Sequence, residues 1–307
     1  MGRVRIGVVG VGHVGTFHAE RYASLPEAEL VAVADINPER LRVLDRQLRV
    51  RGHLDYKELY GEVEAVSIAV PTAIHYEVAR DFLDQGMDVL LEKPMATSLS
   101  EAEDLIQRAM AGRRILQIGH SERFNPAILA LRDRGIAPRF IECHRLAPFG
   151  PRGTDVDVIL DLMIHDLDII LDFVRSEVVG IDAVGVPVLS SRVDIANVRL
   201  RFANGCVANV TASRVSAERM RKIRIFQPDA YVSVDYAAPE VLIYRLANGD
   251  SGLPGIIREE VTLPRADALE MELRAFLDSV LSRRPPAVSG ADGRRALEVA
   301  LRIAEML

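Results

Sequence analysis

Val4-Arg5-Ile6-Gly7-Val8-Val9-Gly10-Val11-Gly12-His13-Val14-Gly15 is the stretch that decides the fold. A short apolar run ends in G-x-G-x-x-G, and helical periodicity follows from His13 to about Ser24. The glycine pattern alone is weak. Placed between a strand and a helix, it reads as a dinucleotide-binding turn. Gly10 permits the tight turn, Gly12 lets a pyrophosphate approach the backbone, and Gly15 allows close packing of helix on strand. The helix N-terminus supplies N–H groups and positive dipole to phosphates. His13 and Val14, inside the motif, count with it as cofactor-binding residues.

Working outward, Leu30–Ala34 reads as a second strand, and Pro38 opens the next helix. Asp35 stands 20 residues after Gly15, at that strand's end. A carboxylate there accepts hydrogen bonds from an adenosine ribose and repels a 2′-phosphate, which favours NAD. Arg40 nearby offsets the repulsion, so NADP stays open. The plainer alternative for Asp35 is a strand-end turn residue. Ala65–Val70, Val89–Leu91 and Ile115–Ile118 are further strands, with helices over Ile74–Gln85 and Leu99–Ala111. This alternation predicts an α/β Rossmann domain, a parallel doubly wound sheet, over residues 1–120.

The character changes after Ser121. Phe140–Ala147 reads as a strand and Val156–Val174 as a helix. Val193–Phe202, Cys206–Ala212, Ile223–Phe226, Tyr231–Tyr236 and Val241–Leu246 are β-rich runs, with Asn204-Gly205 and Asn248-Gly249 as turns. Helices follow over Ala266–Leu281 and Arg294–Leu307. Residues 121–307 therefore predict an α+β domain with a largely antiparallel open sheet. The last helix is expected to pack back on the first domain.

Composition narrows the function. Of 307 residues 49% are hydrophobic and 27% charged, which is ordinary for a globular protein. The net charge of −6 argues against nucleic acid or an anionic membrane as partner. The absence of tryptophan weakens any base-stacking reading. Cys143 and Cys206, the only cysteines, make neither a disulfide framework nor a zinc site, which suits a reducing cytoplasm; no metal is expected. No apolar run approaches membrane-span length, and early glycines argue against a secretory signal.

Two motifs carry the chemistry. Glu92-Lys93-Pro94 directly follows the strand Val89–Leu91, at the end of a parallel sheet where ligands bind. A lysine there can stabilise negative charge developing on a substrate oxygen. A surface lysine before a loop proline is the bland alternative. Asp161 and His165 are i and i+4 on the expected helix and share a face, extended by Asp168 and Asp172. The histidine can take a hydroxyl proton, and the aspartate can orient its ring. A solvated acidic helix face fits the spacing equally well. No G-x-S-x-G elbow is present, so a serine hydrolase is set aside.

Together these pieces resemble the Gfo/Idh/MocA family of nicotinamide-dependent sugar and cyclitol dehydrogenases. The resemblance runs through Gly10–Gly15 with His18, Val70-Pro71-Thr72 with His75, Gly86–Pro94, Asp161 with His165, and Ser289–Arg294. It implies Lys93 as catalytic lysine before a cis Lys–Pro bond, His165 as general acid/base, and Asp161 beside it. It also implies Pro71, Thr72, His75, Glu92 and Lys93 around the nicotinamide half of the cofactor. A homodimer or homotetramer through the C-terminal sheet would follow.

Gly119–Pro126 and Gly153–Ile159 resemble the branch that oxidises UDP-N-acetylglucosamine at C3 in lipid A precursor synthesis. The glycines many relatives carry before the D-x-x-x-H helix are replaced here by Gly153-Thr154-Asp155-Val156-Asp157. His120, Arg123, Asn125 and Arg152 are the candidate substrate contacts. For Arg123 and Asn125 the alternative is a helix entry before Pro126; for Arg152 it is a solvated loop. His18 reads as a fold or cofactor-loop residue, and the basic run Arg219–Arg224 as a solvated strand face. A dehydrogenase or reductase of another sugar or cyclitol is the nearest rival function. A noncatalytic NAD(H) sensor is the rival of a different class.

Overall fold

A computed structural model describes residues 2–150, 156–238, 240–247 and 255–307. Two compact units emerge. The first takes the chain up to Ser121 together with Asp267–Arg294; the second takes Glu122–Ala266 and Arg295–Leu307.

The first unit runs β1 (Val4–Val9), α1 (His13–Ser24), β2 (Ala28–Ala34), α2 (Pro38–Leu48), β3 (Arg51–His53), β4 (Ala65–Ile68), α3 (His75–Asp84), β5 (Asp88–Glu92), α4 (Leu99–Gly112) and β6 (Leu116–Gly119). Its six strands lie in the order β3-β2-β1-β4-β5-β6, all parallel. The order reverses beside β1, which places the glycine turn at a topological switch point. β4 is buried throughout and β1 at every position but Arg5, as a sheet covered on both faces requires. Local signals set the helix ends: Asn37 and Ser98 cap α2 and α4 with their side chains.

The second unit opens with α5 (Pro126–Leu129) and β7 (Phe140–Leu146). A π-helical segment, Ile159–Met163, leads into α6 (Ile164–Val174). Then come β8 (Val178–Val186), β9 (Ile195–Phe202), β10 (Val207–Ser213), β11 (Met220–Gln227), β12 (Ala230–Asp235), β13 (Glu240–Ala247) and β14 (Gly255–Glu260). The sheet order is β14-β13-β12-β11-β7-β10-β9-β8, antiparallel except where β10 meets β7. Ile141, Val198, Val210 and Ile223 face Ile164, Leu167 and Ile170 of α6 in one core. The chain ends with α7 (Ala268–Ser282) and α8 (Gly290–Ala304). Phe276, Leu277 and Val280 of α7 pack with Val4, Ile6 and Tyr22 in the first unit's core.

Three strands escape a reading of periodicity. β3 is three residues long, and β14 is exposed along its whole length. Alternation in β8 is diluted by Gly180, Asp182 and Gly185. The Asn204-Gly205 turn is present, with Gly205 at φ +82° joining β9 to β10. Asn248-Gly249 lies outside the described residues.

Candidate active site

The glycine turn explains itself by contact. Gly10 sits at φ +81°, where a Cβ would stand 2.7 Å from the Ala69 carbonyl oxygen. A Cβ on Gly15 would stand 1.9 Å from the Gly10 carbonyl oxygen. At Gly12 the nearest atom to such a Cβ is Nη1 of Arg40, at 3.7 Å. Gly10 and Gly15 are therefore demanded by the fold, while Gly12 leaves room for a ligand. Gly12 is also the N-cap of α1 and offers no side chain to it. The first N–H groups of the helix lack intrahelical acceptors and suit a pyrophosphate. His13 and Val14 are exposed here, His13 edge-on to Phe17 at 4.9 Å.

Asp35 follows β2 and accepts the N–H of Val11 at 2.9 Å and of Asn37 at 2.8 Å. The oxygen that holds Val11 also meets Arg40 at 3.3 Å. The carboxylate thus braces the glycine turn beside Gly12, where an adenosine ribose would seek an acceptor. These residues fit NAD.

At the end of β5, Lys93 and Pro94 are joined by a cis peptide bond. Lys93 is half-buried. Behind it lies a buried polar chain: Nδ1 of His18 is 2.6 Å from Oγ of Ser67, and its Nε2 is 3.3 Å from Glu92. Burial alone raises the Glu92 pKa, but the His18 contact and the nearby Lys93 charge leave it below the usual carboxylate value. Glu272 of α7 brings an oxygen close to both, so that the three donor atoms lie within 4.8 Å of one another. Such a set could meet on a cation, yet the His18 ring already engages Ser67 and Glu92, and we read it as a polar network. Pro71 is exposed and Thr72 opens a 3-10 turn, Thr72–Ile74, leading to His75. His75 is buried with both ring nitrogens on backbone carbonyls. That leaves it no ring nitrogen for a cofactor. His120 is buried just past β6.

In the second unit Asp161 lies on the π-helical segment and His165 in the first turn of α6, both half-buried. The expected single α-helix over Val156–Val174 is thus interrupted at the motif. π segments of this kind recur at functional sites. Asp168 and Asp172, read as part of the same polar stripe, belong to Arg123 instead. Its Nε and Nη2 bond Asp168 at 2.7 and 3.1 Å, and its Nη1 meets Asp172 at 3.0 Å. Asn125 caps α5, accepting the N–H of Ala127 at 3.1 Å, and donates to Glu122 at 3.3 Å. Both geometries support a role in holding the helices together. Arg152 lies outside the described residues.

Sequence reasoning missed two supports of this helix. Arg145 forms a bidentate pair with Asp166 at 2.7 and 2.9 Å and also reaches Glu122. Arg214 bonds Asp194 at 2.8 Å and the Val156 carbonyl at 2.7 Å, just ahead of the π segment. Each joins residues about 20 or more positions apart, so no local signal could have found them. The run Arg219–Arg224 behaves as a strand face: Lys222 pairs with Asp235 and Arg224 with Glu142.

A switch-point glycine turn, a ribose-side acid and a strand-end lysine define an NAD-binding oxidoreductase of the Rossmann type. The pattern described as "Oxidoreductase family, NAD-binding Rossmann fold" matches residues 4–120, and the "GFO/IDH/MocA C-terminal domain" matches residues 138–231. The chain belongs to the Gfo/Idh/MocA family. It is 43% identical to UDP-N-acetylglucosamine 3-dehydrogenase of Acidithiobacillus ferrooxidans, over 98% of this chain and 96% of that one. A solved structure of that enzyme matches with TM-score 0.95 and 42% identity, over 100% of this chain and 98% of the other. Myo-inositol 2-dehydrogenase of Thermotoga maritima is 28% identical over 96% of this chain and 93% of its own. Levoglucosan dehydrogenase in complex with NADH and levoglucosan matches with TM-score 0.88 at 18% identity, over 99% of this chain and 96% of that one, a likeness of fold.

Proposed function

We propose that this chain oxidises the C3 hydroxyl of UDP-N-acetylglucosamine to a ketone with NAD, in the cytoplasm, as a step of lipid A precursor synthesis. The full-length likeness to UDP-N-acetylglucosamine 3-dehydrogenase carries this reading. Gly12, the α1 N-terminus and Asp35 hold the cofactor. NAD, when bound, supplies the hydride acceptor. His165 accepts the hydroxyl proton as the carbon loses hydride, and Asp161 orients the imidazole. Lys93, at the end of β5, stabilises negative charge growing on a substrate oxygen. The family's open sheet supports a homodimer or homotetramer. In this chain the sheet face away from α6 bears an aromatic row across four strands, Phe140–Phe226–Tyr231–Tyr244, with ring centroids 4.9–5.6 Å apart. Such a row suits burial against a second copy.

The test is NADH formation with UDP-N-acetylglucosamine, its uronic acid, free N-acetylglucosamine and myo-inositol. A glutamate-dependent aminotransferase is added to draw the oxidation forward. Turnover confined to UDP-N-acetylglucosamine is expected. Turnover with myo-inositol or the free sugar instead would keep the chemistry and discard the nucleotide sugar. Lys93→Met and His165→Asn should each lower kcat by about 10²–10⁴-fold with NADH binding kept. NADH binding without turnover on any sugar would favour a sensor.

A further inference from the structure

His75 is 1% exposed and stands between two backbone carbonyls. Its Nδ1 lies 2.8 Å from the Pro94 oxygen and its Nε2 lies 2.9 Å from the Val70 oxygen. Carbonyl oxygens only accept. A neutral imidazole carries one N–H and one lone pair. It can therefore satisfy one of these oxygens, and it turns a lone pair on the other at hydrogen-bond distance. Only the doubly protonated ring donates to both.

The two carbonyls sit at consequential places. Val70 follows β4 and opens the Pro71-Thr72 loop. Pro94 is bonded to Lys93. We propose that His75 is a positioning residue, held as an imidazolium, which ties the Val70 carbonyl to the Pro94 carbonyl and so fixes the turn that presents Lys93. The proposal rests on the reading of Lys93 as the catalytic lysine. Burial works against the charge and lowers the ring's pKa. The two carbonyl bonds and the facing Glu92 carboxylate work for it, and Lys93 works against it. The two short contacts to acceptors decide for the cation, because a neutral ring would set a lone pair against one of the two carbonyls at hydrogen-bond distance.

The first test reads protonation directly. The full-length protein, labelled with ¹⁵N-histidine, is observed by NMR at about pH 7.5, a unit above histidine's ordinary value. The His75 signals are assigned by their loss in His75→Gln. Two protonated ring nitrogens are expected. One bare ring nitrogen overturns the proposal, whatever the enzyme's substrate.

The second test reads position. A glutamine cannot span both carbonyls. His75→Gln should lower kcat about tenfold or more, with KM for NAD and NADH affinity held within about threefold. Loss of NADH affinity with kcat retained would make His75 a cofactor contact and overturn the proposal. Lys93→Met is assayed alongside. If it keeps full kcat, the reading of Lys93 fails, while the ring-protonation result still stands or falls by itself.

Discussion

The carboxylate of Asp35 accepts the backbone N–H of Val11 at 2.9 Å, across 24 residues of chain. One side chain thereby braces the glycine turn and stands where a ribose would be held. The two roles separate by substitution. Asp35→Asn keeps one acceptor oxygen, enough for Val11, but turns its NH2 toward the Asn37 N–H, so its melting temperature should fall, though less than that of Asp35→Ala. The lost negative charge should shift preference toward NADPH by about tenfold, or ~1.4 kcal/mol. Asp35→Ala leaves a buried N–H unpaired, costs about 1–3 kcal/mol and weakens NADH as well. Thermal melts and nicotinamide fluorescence titrations read both. An Asn variant with unaltered cofactor preference would place the ribose elsewhere.

The three glycines of the turn should answer differently to one methyl group. Gly15→Ala drives a Cβ into the Gly10 carbonyl, and Gly10→Ala strains a backbone at φ +81°, so both should lose folded yield. Gly12→Ala meets little protein, with Arg40 at 3.7 Å as its nearest neighbour. It should fold with stability within about 1 kcal/mol of wild type. Yet it should bind NADH at least about tenfold more weakly, because the methyl occupies the phosphate approach. Equal loss of folding in all three would mean that Gly12 is structural too.

Asp194 couples stability to acid. Burial raises its carboxyl pKa, but the Ser190 hydroxyl, Arg214 and the N–H groups of Leu189 and Ser190 hold it well below the ordinary carboxylate value. The folded pKa is depressed, so the stabilisation is present above the unfolded value of 3.8 and is lost as pH falls through the folded value. Urea midpoints of the wild type should therefore fall steeply below about pH 4. Asp194→Asn should start lower at neutral pH and decline less steeply in acid. Parallel curves for the two proteins would remove Asp194 as the source.

Arg145 and Asp166 form a buried pair one residue from His165. Removing one partner strands the other. Asp166→Ala should cost about 3–5 kcal/mol in urea unfolding. Arg145→Met should cost at least as much, since it leaves both Asp166 and Glu122 without that cation. A loss under about 1 kcal/mol for either would show that water reaches the pair.

Much of the architecture was legible in the sequence. The strand Val4–Val9, the helix His13–Ser24, the capped entry at Pro38 and most strands of the second sheet follow from periodicity and turn residues. Those signals act within a few positions and survive in a one-dimensional reading. Gly10 and Gly15, which close contacts in the fold demand, were legible for the same reason, while the roles of Lys93, Asp161 and His165 belong to the proposed function. Partner choice among charged and polar side chains was not. Arg123 and Asn125 looked free to meet a substrate, but the fold gives Arg123 to Asp168, 45 residues away, and sets Asn125 at a helix cap. His75 looked like a cofactor contact until the packing of two loops placed a carbonyl at each of its ring nitrogens. The last helix was expected to pack on the first domain, but α7 does so, while Ala296, Val299, Ala300 and Ile303 of α8 join the second unit's core, since an amphipathic helix does not record which core buries it. The sequence determines its elements because their forces are local. The tertiary structure alone decides which buried charges and donors meet, because burying one without a partner is costly and only the folded chain brings distant partners within hydrogen-bond reach.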